Sequence, residues 1–460
     1  MKKGLTLVLL IIILTSLVTF QPATIKALSK TIIVPDDYPT ITAAIGNATN
    51  GDTILVRSGT YEGPINSTIV INKSISIIGE NAPNTVINLY PAYNSSWILT
   101  AEFFTYTDAL RISADNCVLM NLKLVIGSPG GYISALGNRE LIANNIIVTS
   151  PSTGLVINGS NCRITKNVMN GALPDLDGGN IQLFGSNNQL DQNSASYVYV
   201  NNGTFNYIKE NSCQILHLLN STNNAIVGNR IVNNFYGDTG IDLIWSNNNW
   251  LYKNEIYGTI AFGLRLWFSS NNTIEANTVS NMKLALASMH LGASYNNLFS
   301  LNNFFSNSSA PYIRDDYSDS NTRGMVANQS TNNWSDNNLG NYWDKYLLTY
   351  PNATEVDSSG VWNIPYVINE NNTDAYPLVT IRDISTVQIQ QPNWANLDVP
   401  EVLSTPIFPA SNPSPNPTLT PTPPASPTVP EFPSWTLLLL VTIMVSTSLL
   451  VYHKKHKRIG

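Results

Sequence analysis

Charge is the scarcest thing in this sequence. Asp, Glu, Lys and Arg together make up 12% of the 460 residues, against about a quarter in an ordinary globular chain. With a net charge of −6, no basic field is present to hold a phosphate backbone, and nucleic acid is not an expected partner. Histidine is scarcer still, with four residues in all. Cysteine numbers three, an odd count that excludes a fully paired disulfide framework. Long apolar runs are confined to the two ends. Asn, Ser and Thr fill the remaining space, giving a polar, uncharged surface suited to an uncontrolled ionic environment.

Met1 to about Ala27 reads as a secretory signal: Lys2 and Lys3 open it, Leu5 to Phe20 is its apolar core, and Ala23 or Ala27 offers a cleavage site. An uncleaved signal anchor is the alternative. At the other end, Trp435 to Tyr452 is apolar or hydroxylated throughout, about eighteen residues and long enough to span a bilayer. The basic cluster within His453 to Gly460 sets the C-terminus in the cytoplasm. These features predict a single-pass cell-surface protein with everything between the two segments outside. Asn-x-Ser/Thr triplets from Asn47 to Asn371 agree with export and glycosylation.

Inside those limits one pattern recurs, an Asn followed five or six residues later by a second Asn, with Ile, Leu or Val nearby. The pairs run Asn116/Asn121, Asn138/Asn144, Asn161/Asn167, Asn188/Asn193, Asn206/Asn211, Asn224/Asn229, Asn249/Asn254, Asn272/Asn277 and Asn297/Asn302. First members lie roughly 18 to 27 residues apart, the period of a stacked solenoid. Each repeat has room for two or three short strands, so the predicted fold class is all-β, a parallel β-helix. Stacked asparagines hydrogen-bond along such a pile, which is a structural role. Cys117 and Cys162 follow first-position asparagines two coils apart, roughly 9.6 Å at a strand spacing of about 4.8 Å. A disulfide needs Cα atoms within about 7 Å, so all three cysteines read as small buried hydrophobes.

Before the repeat, Asp36-Asp37-Tyr38-Pro39-Thr40 with Ile41, Ala44 and Ile45 reads as a short capped helix covering the first coil. Short β runs follow at Thr53 to Val56, Ile69 to Ile71 and Ile75 to Ile78. These segments, with Ser58-Gly59-Thr60-Tyr61 and Ser76-Ile77-Ile78-Gly79-Glu80, resemble the opening of right-handed parallel β-helix proteins of the NosD type. Gly340-Asn341-Tyr342-Trp343-Asp344, Ile364-Pro365-Tyr366 and Asp374-Ala375-Tyr376-Pro377 resemble that family's closing segment. The resemblance covers about residues 31 to 380 and implies the pectin-lyase-like fold. Its members include copper-binding periplasmic proteins, carbohydrate-associated repeats and surface proteins. The layout is then a signal over 1–27, a cap and first coils over 28–110, the Asn repeat over 111–305 and a closing segment over 306–380. A Pro/Thr/Ser-rich extended stalk over 381–434, a transmembrane helix over 435–452 and a basic tail over 453–460 complete it. The junction at Pro430-Glu431-Phe432-Pro433-Ser434-Trp435 resembles the PEF-type sorting tails of archaeal surface proteins, which implies that the span is exchanged for a lipid.

The repeat also serves as a ruler. Seven residues before successive first asparagines stand Tyr199, His217, Asp242, Arg265 and His290, with Gln182 near that place one coil earlier. Their neighbours are apolar, so with a period of two this column faces outward as a polar strip. Two residues on, Phe184, Leu219, Ile244 and Trp267 add an apolar edge. An aromatic beside paired charges suits a sugar, and Gln182, Tyr199, His217, Asp242, Arg265, Trp267 and His290 are the candidate contacts for an extracellular or cell-wall polysaccharide. The plainer reading is a cross-strand ion pair on a solvated sheet, and the expected role is a structural or adhesive one at the cell surface, with polysaccharide binding along this face as its extension. A lyase, epimerase or glycosidase would use Asp242, His217 and Arg265, but hydrolysis asks for two facing carboxyl groups and the column supplies one. Copper, which the resemblance suggests, prefers clustered His, Cys and Met; His217 and His290, three coils apart, stand roughly 14 Å from each other. Glu355 to Asn363 departs from calcium-loop spacing, and Arg314-Asp315-Asp316 with Asp319 reads as a solvated loop. No cofactor is expected, with calcium at Glu355 to Asn363 as the alternative.

Overall fold

Short runs of Ile, Leu and Val broken every few residues by Asn, Ser or Gly cannot make long strands, and the fold is built from strands of two to seven residues. The computed structural model describes residues 29–92, 107–127, 131–149, 153–171, 179–232, 239–258, 262–280, 287–306, 312–319, 324–327, 330–388 and 391–409. The signal, the stalk beyond residue 409, the span over 435–452 and the basic tail lie outside them. No helix among the described residues is long and apolar enough to cross a membrane.

Successive coils lay their strands into three faces of a parallel solenoid. Sheet I has twelve strands, from Thr31–Val34 to Leu298–Ser300; sheet II runs in pieces of five and six strands; sheet III has twelve. Every described strand pair in sheets I and II is parallel, and in sheet III only Ile313–Asp319 with Gly324–Ala327 is antiparallel. Central residues of sheet I stack in register down the axis, from Ile54 and Ile77 through Ile164 and Ile226 to Ile274 and Phe299. Leu155, Ile181, Val198, Leu216, Ile241, Leu264 and Met289 do the same in sheet III. All are buried, at roughly 1.5–3 kcal/mol of hydrophobic transfer each.

The corners explain the asparagines. Before each sheet I strand from Val118–Met120 onward one residue takes the left-handed conformation: Asn116, Arg139, Asn161, Asn187, Phe205, Asn223, Asn248, Asn271 and Asn296 have φ between +55° and +58°. The next residue turns inward, and from Asn188 to Asn297 it is a buried Asn. A second ladder follows the strand, from Asn145 to Asn302 and on to Asn341. In it the N–H of Asn193 donates to Asn211 Oδ1 at 2.9 Å, while Asn193 Nδ2 donates to the same oxygen at 3.0 Å and to the Ile164 carbonyl at 2.9 Å. A third ladder is made of serines, Ser221, Ser246, Ser269, Ser294 and Ser330. The asparagine spacing is therefore set by backbone satisfaction at the turns.

Register corrects the early repeats. Asn116 and Asn161, and likewise Asn121 and Asn144, are left-handed corner residues, not ladder members. The first ladder position in those coils is held by Cys117, Glu140 and Cys162, each next to paired Val118, Leu141 and Arg163. All three cysteines are unpaired and buried, and burial raises Cys117 to about 11 and Cys162 to about 12, which leaves both thiols protonated and inert.

Near the start, helix Ile41–Asn47 is capped by Thr40, whose hydroxyl accepts from the Ala43 N–H, and it buries Ile41, Ala44 and Ile45 against Ile32 and Val34. The acids expected in its first turn lie before it, with Asp36 paired to Arg57. At the far end Trp334 stacks on Phe299 and Trp343 on Phe304, Tyr366 stacks on Trp343, and Tyr346 lies tilted against Tyr366. Asp374 terminates the second ladder, accepting from the Asn341 N–H at 2.8 Å and Trp343 Nε1 at 3.0 Å.

The stalk expected from residue 381 does not begin there. A strap made of residues 381–388 and 391–409 runs back along the outer face of sheet I. Tyr252 donates to the Val387 carbonyl at 2.6 Å, Trp394 meets Phe205 edge-on, Arg139 pairs with Asp398, and Asn121 Nδ2 donates to Thr405. Val387 joins a cluster with Tyr207, Val227, Trp250 and Tyr252, and Val402 and Phe408 pack on a second one with Leu55, Ile78, Met120 and Leu141. The proline content averaged over 381–434 conceals these apolar residues, whose burial outweighs the entropy of an extended chain.

Candidate functional site

Sheet III carries the predicted column. Gln182, Tyr199, His217, Asp242, Arg265 and His290 are consecutive register partners, and Arg314 extends them by one coil. Asn201, Leu219, Ile244, Trp267 and Gly292 form the next outward row, while Phe184 follows Leu183 at the head of that row and is exposed.

The column is less open than an alternation argument implies. Asp242 and His290 are 4% and 6% exposed. Arg265 lies over Asp242, with Nε donating to Oδ1 at 2.8 Å and a second nitrogen to Oδ2, a bidentate geometry that fixes both groups. His217 Nε2 stands 4.0 Å from Asp242 Oδ2, beyond hydrogen-bond reach, and is buried without a partner. Burial pushes its pKa down, partly offset by Asp242, so the ring is neutral near pH 7. Tyr199 packs 5.8 Å from it.

His290 sits in an aromatic cage, with Phe262 at 4.4 Å and Trp267 at 5.2 Å between ring centroids. Its Nε2 lies 2.8 Å from the Asp316 carbonyl and 3.0 Å from Asp316 Oδ1, as donor to both, and its Nδ1 is buried and unpartnered. Burial again lowers its pKa. Gly292 is what admits Trp267: a Cβ there would meet the indole at 2.7 Å. Asp316, expected in a solvated loop, instead belongs to strand Ile313–Asp319 and pairs with Arg314. Sequence reading missed it because 35 residues separate Asn297 from the next ladder Asn, Asn332, and the ruler fails across that insertion. Extending the column by one strand from His290 would have found Arg314.

The chemistry follows from this geometry. Asp242 is held by Arg265, and among the described residues the nearest candidate second carboxylate on this face, Asp316, is three strands away, roughly 14 Å. Glycoside hydrolysis wants carboxyl groups about 5–9.5 Å apart, and these do not face each other across one bond. The described part of this face instead offers a bidentate ion pair beside aromatic side chains, with two ring nitrogens, His217 Nε2 and His290 Nδ1, buried beneath it without hydrogen-bond partners.

Comparison with solved structures returns β-helix proteins. The Dettilon tailspike protein is 12% identical, covering 68% of each chain, with a TM-score of 0.46. The AlgE4 mannuronan C-5 epimerase A-module of Azotobacter vinelandii is 14% identical over 64% of this chain and 88% of its own, TM-score 0.45. The PL6 family polysaccharide lyase Pedsa3628 of Pseudopedobacter saltans is 13% identical over 66% and 91%, TM-score 0.44. No curated protein matches the sequence. A family model described as periplasmic copper-binding protein (NosD) matches residues 109–348. Its description raises copper, and the residues present do not fit it: among the described residues no three His, Cys, Asp or Glu side chains gather as a metal site, and His217 and His290 stand three strands apart. The family match itself spans just over half of the sequence and contains the central coils and the whole polar column from Gln182 to Arg314, and the chain belongs to the NosD family.

Proposed function

We propose that this protein is an exported, membrane-tethered β-helix of the cell surface that binds polysaccharide along the outer face of sheet III. In this reading the solenoid is right-handed, the sense that parallel crossovers take, with helix Ile41–Asn47 as its cap. The signal-like N-terminus, the apolar run before the basic tail and the Asn-x-Ser/Thr triplets support export and tethering. Contacts come from Gln182, Tyr199, His217, Asp242, Arg265, Trp267 and His290, and no metal or other cofactor takes part. The observation that carries the reading is the in-register strip in which the Asp242–Arg265 pair lies beside the partly exposed Tyr199 and Trp267.

Removing the aspartate takes away the bidentate partner of Arg265 and changes the strip's geometry. Asp242→Ala is expected to weaken glycan-array binding at least about tenfold, which is roughly 1.4 kcal/mol, with no reducing ends or unsaturated products formed by either protein. Product formation that Asp242→Ala abolishes would establish the lyase, epimerase or glycosidase alternative. Array binding unchanged by the substitution would leave a scaffold with no role for the strip.

A further inference from the structure

At the edge of sheet III the chain turns through another left-handed corner. Asn202, Asn220, Trp245, Phe268 and Ala293 hold it with φ between +48° and +54°. Each of the last four precedes a buried serine, and the Ser221, Ser246, Ser269 and Ser294 ladder locks the corner, so the backbone cannot relax. Asn is the natural occupant of this conformation and a bulky aromatic is an outlier. Two coils nevertheless carry Trp and Phe.

Phe205 and Leu301 are equally bulky at left-handed corners of sheet I, but there the strap covers them: Phe205 meets Trp394 and Leu301 packs in the cluster around Val387. No described residue covers Trp245 in that way, and it is 55% exposed. It lies parallel to Phe268, with centroids 6.3 Å apart and planes at 24°. Phe268 in turn meets Trp267 edge-on at 5.9 Å, so one aromatic surface runs from the corner into the polar strip at His290.

The charges in that strip narrow the ligand. Arg265 is held by Asp242 and Arg314 by Asp316, and no carboxylate cluster among the described residues would bring a cation to bridge acidic sugars. A polyuronate finds no unmatched positive charge there. A neutral sugar needs only ring faces for its C–H surface and fixed donors and acceptors for its hydroxyls.

We propose that Trp245 and Phe268 form a stacking platform for the pyranose rings of a neutral polysaccharide, with the Asp242–Arg265 pair beside it taking the hydroxyls. This rests on the sheet III reading above and adds to it a second subsite and a ligand class. Affinity electrophoresis of the full-length protein tests it, with gels containing soluble mixed-linkage β-glucan, galactomannan or polygalacturonate. The expected result is retardation by a neutral polymer and none by polygalacturonate. Trp245→Asn with Phe268→Asn should weaken that retardation at least about tenfold while the melting temperature stays level or rises by about 2 °C or more, because Asn relieves the corner. Wild-type retardation in the double variant would overturn the platform while leaving the strip standing, provided Asp242→Ala still loses binding. Retardation by polygalacturonate alone would overturn the ligand class. A melting temperature lowered by several degrees would show the aromatic pair to be structural and remove the argument. Failure of every polymer to retard the wild-type protein would overturn this proposal together with the reading it rests on.

Discussion

Glu140 occupies a corner where later coils place a ladder asparagine. It is fully buried, its carboxyl oxygens make no hydrogen bond of normal geometry, and burial pushes its pKa up to about 9. The folded chain therefore keeps this proton up to about pH 9, while the unfolded chain releases it near 4.5. Within that window the folded state holds one proton more, so stability falls as pH rises, by about 1.4 kcal/mol per pH unit. Asp374, raised to about 6 by its burial, adds a slope of the same sign that ends near pH 6. Burial lowers His217 and His290 from 6.5 and so adds a slope of opposite sign that fades above that value, while beyond it the Glu140 slope continues. Glu140→Gln removes it, and melting curves from pH 5 to 9 should show a stability gain over the wild-type chain that grows with pH. A gain independent of pH would mean that the carboxyl is already ionised in the folded protein.

At the scale of the element, the ladders decide what could be read in advance. From Asn188 to Asn302 both asparagines of each coil sit where the corner needs them, so the repeat spacing reproduced the strand register and brought Gln182, Tyr199, His217, Asp242, Arg265 and His290 into one column. Where Cys117, Glu140 and Cys162 replace the ladder asparagine, the neighbouring corner residues Asn116 and Asn161 carried the pattern, and the reading slipped by one. Trp245 and Phe268 were invisible because nothing in sequence marks which aromatic takes a left-handed turn. The two kinds of asparagine should differ in energy. Asn211→Ala removes the acceptor for the Asn193 N–H and the donor to the Leu190 carbonyl at 2.8 Å, leaving both buried groups unmatched at about 3 kcal/mol in total. Asn248→Gly, at an exposed corner with φ +57°, should shift stability by less than about 0.5 kcal/mol. Urea titration of the two variants should show a large fall in midpoint for the first and almost none for the second; equal losses would contradict the assignment of ladder and corner.

The strap relates the ends of the molecule. After the last coil the chain binds Asn303 through Arg382, passes Tyr252, Phe205 and Arg139, and reaches Asn121 and the Leu55–Ile78 cluster by residue 408. Residues near 409 therefore lie beside the coils where the described chain begins, one solenoid length from the closing segment. The strap also covers the apolar outer positions of sheet I, where Tyr207, Trp250, Tyr252, Met120 and Leu141 are 8% exposed or less. Uncovered, they form a contiguous apolar stripe of the kind that drives association. The long separation in sequence, 259 residues between Arg139 and Asp398, is why no local pattern announced the contact. Ending the soluble chain at residue 381 instead of 409 should convert a monodisperse protein into a self-associating one, seen as a concentration-dependent mass in light scattering, and should lower its melting temperature. Trp394→Ala, which opens the stripe only beside Phe205, should fall between the two. A chain ending at 381 that stays monomeric with an unchanged melting temperature would mean that the strap lies on the sheet without stabilising it.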